Sequence, residues 1–266
     1  MSDSSNPFCL VDKRILVTGA TGFLGRSIAL GLAELGATIL VNGRNQESVG
    51  TFVDELCDLK FRALPAVFDV NDAEQVRSWC LEYGPQALHG LVNNAYSGGG
   101  GTVESSDAAD YRASFEVSVV AAQRLVQSLL PSFRTAANSS GWASVVNIAS
   151  MYGMVVPDRR IYSDSKSTNP PFYGASKAAL LQWTRYAACE FGWENIRFNS
   201  ISPGPFPSTS VKQDNPEFVN ILVGKVPMGR VGNADELCGP VAFLLSSSSS
   251  FVNGSNLVVD GGWTCL

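Results

Sequence analysis

Histidine is nearly absent from this chain: His89 stands alone among 266 residues. The six cysteines, Cys9, Cys57, Cys80, Cys189, Cys238 and Cys265, form no C-x-x-C pair. Without paired cysteines or a second histidine, the pattern argues against a Cys/His zinc site, and no metal is expected. A Cys–His nucleophile would have to use His89, which reads as the edge residue of a strand at Leu91-Val92. The cysteines read as reduced, mostly buried thiols. Basic blocks are missing too: 19 Lys and Arg stand against 24 acids, for a net charge of −5. No phosphate backbone, and so no nucleic acid, is expected as a partner. No apolar run is long enough to span a bilayer. The polar start, Met1 to Pro7, lacks the basic and apolar regions of a signal peptide. These absences give the expectation of a soluble, cytoplasmic protein without a membrane partner.

What is present is core-building material. Apolar residues make up 45% of the chain and charged ones 16%. That balance argues against disorder, and the length suits one large α/β domain. Residues 14–18, 38–42, 61–68, 88–93, 143–149, 195–200 and 256–259 read as strands. Residues 22–35, 46–59, 73–83, 108–133, 172–191 and 234–245 read as helices. The strands are rich in Val, Ile and Leu without polar alternation, the pattern of strands buried on both faces. Regular strand–helix alternation then predicts a doubly wound parallel sheet of seven strands, helices on both faces, as a single domain over 1–266. Residues 97–101 (SGGGG) read as a very flexible loop, and 157–171 as a polar loop bounded by prolines. Residues 246–250, all serine, read as a low-complexity loop.

The first strand runs into Thr18-Gly19-Ala20-Thr21-Gly22-Phe23-Leu24-Gly25. In this strand–turn–helix setting Gly19 permits the tight turn, Gly22 lets a pyrophosphate approach the backbone, and Gly25 lets helix pack on strand. The helix start offers free N–H groups and a partial positive charge to phosphates. An acid at the end of the second strand would bind a ribose 2′-hydroxyl. Here the strand ends Asn42-Gly43-Arg44-Asn45. Arg44 suits a 2′-phosphate instead, so NADP(H) is favoured over NAD(H). Asp69 and Val70 are placed to bracket the adenine, and Asn93, Asn94 and Ala95 to line the pocket floor.

Tyr173 and Lys177 lie four apart at a helix start and so face the same way. A free tyrosine, with a pKa of about 10, is too weak an acid for neutral pH, and a nearby ammonium favours its phenolate. Tyr173 can then exchange a proton with a carbonyl or alcohol oxygen. Ser150 ends the fifth strand, at the edge where ligands bind in open α/β sheets, and can hold that oxygen.

Taken together these residues, with Ser202-Pro203-Gly204 and Asp260-Gly261-Gly262, resemble the short-chain dehydrogenase/reductase family over essentially the whole chain. The resemblance implies a Rossmann-type fold, an NAD(P)-dependent oxidoreductase acting on a CH–OH group, and a homodimer or homotetramer joined through residues 108–133 and 172–191. It also implies that Lys177 binds the nicotinamide ribose. Pro203, Gly204, Phe206 and Ser208 would lie near the carboxamide. The flavour resembles gluconate 5-dehydrogenase and relatives in bacterial surface-sugar pathways.

Four departures stand out. Phe23 gives the glycine turn the look of a longer, nucleotide-sugar-modifying branch, although the chain lacks room for that branch's extra domain. Tyr96 stands where the family has glycine, which narrows the pocket. Ser118 occupies the position of a catalytic asparagine. The segment 157–171, with Asp158, Arg159, Arg160, Tyr162, Asp164 and Lys166, is longer than usual. It reads either as a cover at the pocket mouth, favouring a polar or anionic small-molecule substrate, or as a plain surface loop or subunit contact. Three functions follow: a carbonyl/alcohol oxidoreductase on a sugar-like or keto-acid compound, an epimerase or dehydratase with tightly bound NAD acting on a nucleotide-sugar, and a non-catalytic nucleotide-binding protein.

Overall fold

The computed structural model describes residues 6–164 and 166–266; the polar start at residues 1–5 lies outside the described residues. Seven parallel strands form one sheet: β1 Arg14–Val17, β2 Thr38–Gly43, β3 Arg62–Val67, β4 Gly90–Asn93, β5 Ala143–Ile148, β6 Ile196–Pro203 and β7 Asn256–Val259. Their order is β3-β2-β1-β4-β5-β6-β7. This is the doubly wound sheet expected, and its order reverses between β1 and β4, where a crevice opens at the strand ends. Register is set along the apolar runs, with Leu16 paired to Leu40 on one side and Leu91 on the other.

Alternate residues of β1 feed two separate cores. Ile15 and Val17 face α1 (Phe23–Glu34), α2 (Gln46–Asp58) and, near the far end, α9 (Cys238–Leu245). Leu16 faces the other layer, built from α3 (Ala73–Tyr83), α5 (Ala121–Ser140) and α6 (Pro171–Phe191). β3 is an edge strand, which is why it tolerates Pro65.

The helix expected over 108–133 differs in detail. It begins as α4, Ala108–Phe115, passes through a wider π turn at Glu116–Val120, and continues as α5 to Ser140. Buried Ala136 and Ala137 keep the apolar face going past Phe133, and Gly141, at φ 83°, ends it in the left-handed region. Two short helices escaped the periodicity: α7, Thr209–Asp214, and α8, Pro216–Lys225. Their signals are in the caps, because Ser208 accepts from Val211 N–H and Asn215 from Phe218 N–H.

Other expectations need correction. All six cysteines are free, but none is fully buried: Cys57, Cys189 and Cys265 are exposed, and Cys9, Cys80 and Cys238 are half-buried. Of the 97–101 loop, Ser97 to Gly100 are exposed, and its far end meets the 166–168 stretch. Gly101 N–H donates to the Thr168 carbonyl at 3.0 Å, and a Cβ on Gly100 would lie 1.9 Å from the Lys166 carbonyl oxygen. The serine run is structured as well, because it receives a buried guanidinium. Arg197 donates to Ser249 Oγ and to the Ser246 carbonyl. His89 precedes β4, is buried, and hydrogen-bonds Arg14 N–H and Ser140 Oγ. Among the described residues no helix is long and apolar enough to cross a membrane.

Candidate active site

Thr18, buried at the end of β1, joins β1 to β4. Its Oγ1 donates to the Val92 carbonyl and accepts from the N–H groups of Asn94 and Ala95. This brings the glycine turn against Asn94. Gly19 adopts φ +60° beside Ala95, where an added Cβ would sit 3.0 Å from Ala95 Cα. A Cβ on Gly25 would lie 2.2 Å from the Gly19 carbonyl oxygen. Gly22 caps α1 without a side-chain hydrogen bond, so the first-turn N–H groups stay open for an anion.

The result is a cleft of about 340 Å³ at the β1/β4 crevice. Gly19 and residues 21–25 form one wall, Arg44, Asp69 and Val70 another, and Asn94 and Ala95 the floor. A backbone cradle that any Cβ would fill suits the pyrophosphate of a dinucleotide, so these residues fit that group. Asn71, Ser97 and Val117 also line the cleft and were not expected. Asn71 and Ser97 follow strand ends, a place that marks ligand contacts in such sheets.

On the wall that follows β2 and β3, Arg44 Nη1 lies 3.9 Å from Asp69 Oδ2, with 67% of the Arg44 side chain exposed. Such a pair is weakly held and leaves the guanidinium available to another anion. Arg124 of α5 steadies the turn beside Asp69 by donating to the Val70 carbonyl at 2.8 Å.

The chemistry side is built by β5 and α6. Ser150 follows β5, is buried, and accepts from Tyr152 N–H. Its hydroxyl also lies close enough to Tyr173 to favour the phenolate. Burial outweighs this and pushes the phenol above its ordinary value. That corrects the expectation of an ammonium drawing the value down. Instead Lys177 points its Nζ at the Ile148 carbonyl, 2.8 Å away, and lies 5.7 Å from the Tyr173 ring centroid. Lys177 is itself buried, which lowers its pKa to about 8.

Ser118 lies in the π turn, buried, with its Oγ 3.3 Å from Ser176 Oγ. Ser118 and Lys177 share a void of about 10 Å³ with Thr18 and Asn93, room for about one water. Pro203, Gly204, Phe206 and Ser208 lie outside the wall of the main cleft. Gly204 approaches Asp260, and a Cβ there would be 2.5 Å from Asp260 Cα. Phe206 rests on Gly232 and lines a separate hollow of about 100 Å³. Ser208 caps α7. The link between the two halves is Tyr96, which lines the cleft and packs its ring 4.8 Å from that of Tyr173.

A dinucleotide cradle at the crevice of a doubly wound sheet, with an acid–base pair beside it, defines an NAD(P)-dependent oxidoreductase. Comparison with known proteins narrows the class. The sequence model described as enoyl-(acyl carrier protein) reductase matches residues 19–264. The L-xylulose reductase of Caenorhabditis elegans is 34% identical over 95% of this chain and 96% of its own length. The gluconate 5-dehydrogenase of Gluconobacter oxydans is 31% identical over 97% and 96%. A solved gluconate 5-dehydrogenase from Burkholderia cenocepacia, in complex with NADP and tartrate, superposes with a TM-score of 0.87 at 31% identity, covering 98% of both chains. The chain belongs to the short-chain dehydrogenase/reductase family, whose members act on CH–OH groups.

Proposed function

We propose that this chain is an NADP(H)-dependent reductase or dehydrogenase interconverting a carbonyl and an alcohol on a small polar substrate, sugar-like or a keto-acid. The observation that carries it is the convergence of the Ser150 hydroxyl and the Lys177 ammonium on the Tyr173 ring, one aromatic contact from the cleft. Gly19, Thr21, Gly22, Phe23, Leu24 and Gly25 hold the pyrophosphate. Asp69 and Val70 bracket the adenine, with Asn94 and Ala95 beneath. A nicotinamide held there would supply or take the hydride.

In the reducing direction Tyr173 gives its phenolic proton to the carbonyl oxygen; in the oxidising direction it takes one from the alcohol. Ser150 donates a hydrogen bond to the same oxygen as charge gathers there. Lys177 steadies the phenolate left behind and reaches for the ribose hydroxyls. The void between Lys177 and Ser118 gives one water a place from which to restore the proton.

The preference for NADP(H) is supported by Arg44 at the cleft rim, by the lack of an acid at the end of β2, and by a related structure holding NADP. A polar substrate is supported by the gluconate and xylulose relatives and by segment 157–171. Part of that segment is anchored on α8, where Asp158 meets Lys225 at 2.6 Å and Tyr162 packs on Phe218. Arg159 and Lys166 stay exposed. Assembly as a homodimer or homotetramer is supported by a groove of about 240 Å³ between α5 and α6, walled by Trp183 and Tyr186. Six free thiols suit the reducing cytoplasm.

Oxidation of NADPH and NADH against keto-sugars, keto-acids and nucleotide-sugars tests the reading. Faster oxidation of NADPH with a keto-sugar or keto-acid is expected. A preference for NADH would remove the role given to Arg44. Conversion of a nucleotide-sugar without added cofactor would replace the reading with an epimerase or dehydratase.

A further inference from the structure

Tyr96 replaces a small residue beside the reacting groups, and its surroundings are built for it. Its ring meets the Tyr173 ring edge-on, with centroids 4.8 Å apart and planes at 75°. Lys177 Nζ lies 5.1 Å from the Tyr96 centroid and 5.7 Å from that of Tyr173, so two rings flank one ammonium. A π face favours the charged lysine in a place where burial disfavours it.

The hydroxyl of Tyr96 is held as well. It pairs with Ser114 Oγ on α4 at 3.2 Å. Ser114 Oγ in turn bonds the Phe172 carbonyl at 3.1 Å and Ser176 Oγ at 2.9 Å. Phe172 and Ser176 are the chain neighbours of Tyr173 and Lys177, so the network grips α6 at both residues. Gly98 makes room for the hydroxyl, because a Cβ there would lie 2.7 Å from Tyr96 Oη. The titratable groups facing Tyr173 are Tyr96 after β4, Lys177 on α6 and Tyr152 in the turn after Ser150.

We propose that Tyr96 is a positioning residue of the Tyr173–Lys177 pair: its ring fixes the phenol edge-on and covers the ammonium, while its hydroxyl ties both to α4. This rests on the reading of Tyr173 as the proton-transfer group.

The test uses the full chain with Tyr96→Ala, the better-packed Tyr96→Leu, and Tyr96→Phe. Carbon-13 resonances of labelled tyrosine rings report the Tyr173 titration without cofactor or substrate, assigned by the signal lost in Tyr173→Phe. Tyr96→Ala and Tyr96→Leu should move that titration to lower pH, since water reaches the phenol, while Tyr96→Phe, which keeps the ring and loses only the tie to Ser114, moves it less. In carbonyl reduction, Tyr96→Ala and Tyr96→Leu should lower kcat about tenfold or more, with the alkaline limb displaced the same way. Tyr96→Phe should lower kcat by a smaller step, about threefold, since the ring contacts persist but the tie to Ser114 is lost. A Tyr173 titration unchanged in both Tyr96→Ala and Tyr96→Leu overturns the proposal. So does a Tyr96→Phe loss as large as that of Tyr96→Ala. If Tyr173→Phe is inert while Tyr96→Ala titrates and turns over like the parent protein, this proposal alone fails. If Tyr173→Phe turns over normally, the reaction assignment fails and takes the proposal with it.

Discussion

Lys177 reaches from α6 to the last residue of β5, donating its ammonium to the Ile148 carbonyl at 2.8 Å. Ser150 stands two residues further along the same strand end. One bond therefore couples the placement of the lysine to that of the serine, and Tyr173, one helical turn before Lys177, is set between them. Removing the phenolic oxygen alone should leave this scaffold intact. Tyr173→Phe is expected to lower turnover by about 10²–10⁴-fold, the range for a lost general acid. The dissociation constant for NADPH, read by quenching of protein fluorescence, should stay within about threefold, since ring packing persists. Undiminished turnover would end the assignment of Tyr173.

Arg44 is expected to decide which dinucleotide is preferred. Its guanidinium is largely exposed at the cleft rim and only loosely paired with Asp69. A charge-assisted bond to a phosphate is worth about 1.5–3 kcal/mol, so Arg44→Ser should raise the KM for NADPH by roughly 10- to 100-fold. The KM for NADH should change little, because no 2′-phosphate is present to lose its partner. Equal effects on both cofactors would show that Arg44 only shapes the rim.

Much of this was legible in the sequence, for identifiable reasons. Strands such as β5 are buried on both faces and lack polar alternation, so the doubly wound sheet followed from composition and spacing. Gly19 and Gly25 are needed for close backbone approach, which a sequence can announce. Tyr96 is different. Its departure from glycine was visible, but its contact with Tyr173 depends on the packing of a loop on α6, which no local pattern encodes. The same holds for the shift at Tyr173. Spacing predicts that Tyr173 and Lys177 share a helix face, but not that burial outweighs the charge or that Ile148 takes the ammonium. Phe206 lies outside the main cleft for a like reason: its neighbour Gly232 is distant in sequence, so its position had no local signal.

His89 gives a pH dependence of stability without chemistry. Its Nδ1 accepts from Arg14 N–H, so the neutral ring is the one that fits. Burial, then the charges of Lys13 and Arg14, lower its pKa from 6.5 to about 4. The unfolded chain therefore binds more protons than the folded one between these values. Stability from this group is full above about pH 6.5 and is lost as the pH falls toward about 4. Its size is on the order of 3 kcal/mol. Urea midpoints of the parent protein and His89→Gln, compared from pH 7 to pH 4, should converge as acid is added. Parallel curves would mean that His89 is not held neutral.

Gly25 tests the cradle itself. The first turn of α1 passes so close to the strand end that an alanine methyl would lie 2.2 Å from the Gly19 carbonyl oxygen and 2.6 Å from Asn94 Nδ2. The first neighbour is backbone, so it cannot rotate away; the turn or the helix must shift. Forcing extra volume into a packed site costs about 1–3 kcal/mol, and Gly25→Ala should lower the melting midpoint accordingly. The shift also moves the open N–H groups of α1 away from the pyrophosphate, because Gly19 and Gly22 are joined by the 3.1 Å bond that shapes the turn. Affinity should therefore fall for NADPH and NADH alike, by about tenfold or more, in contrast to the selective loss expected at Arg44. Calorimetric titration of the folded variant separates the two effects. An unaltered affinity in a destabilised protein would mean that Gly25 serves helix packing only.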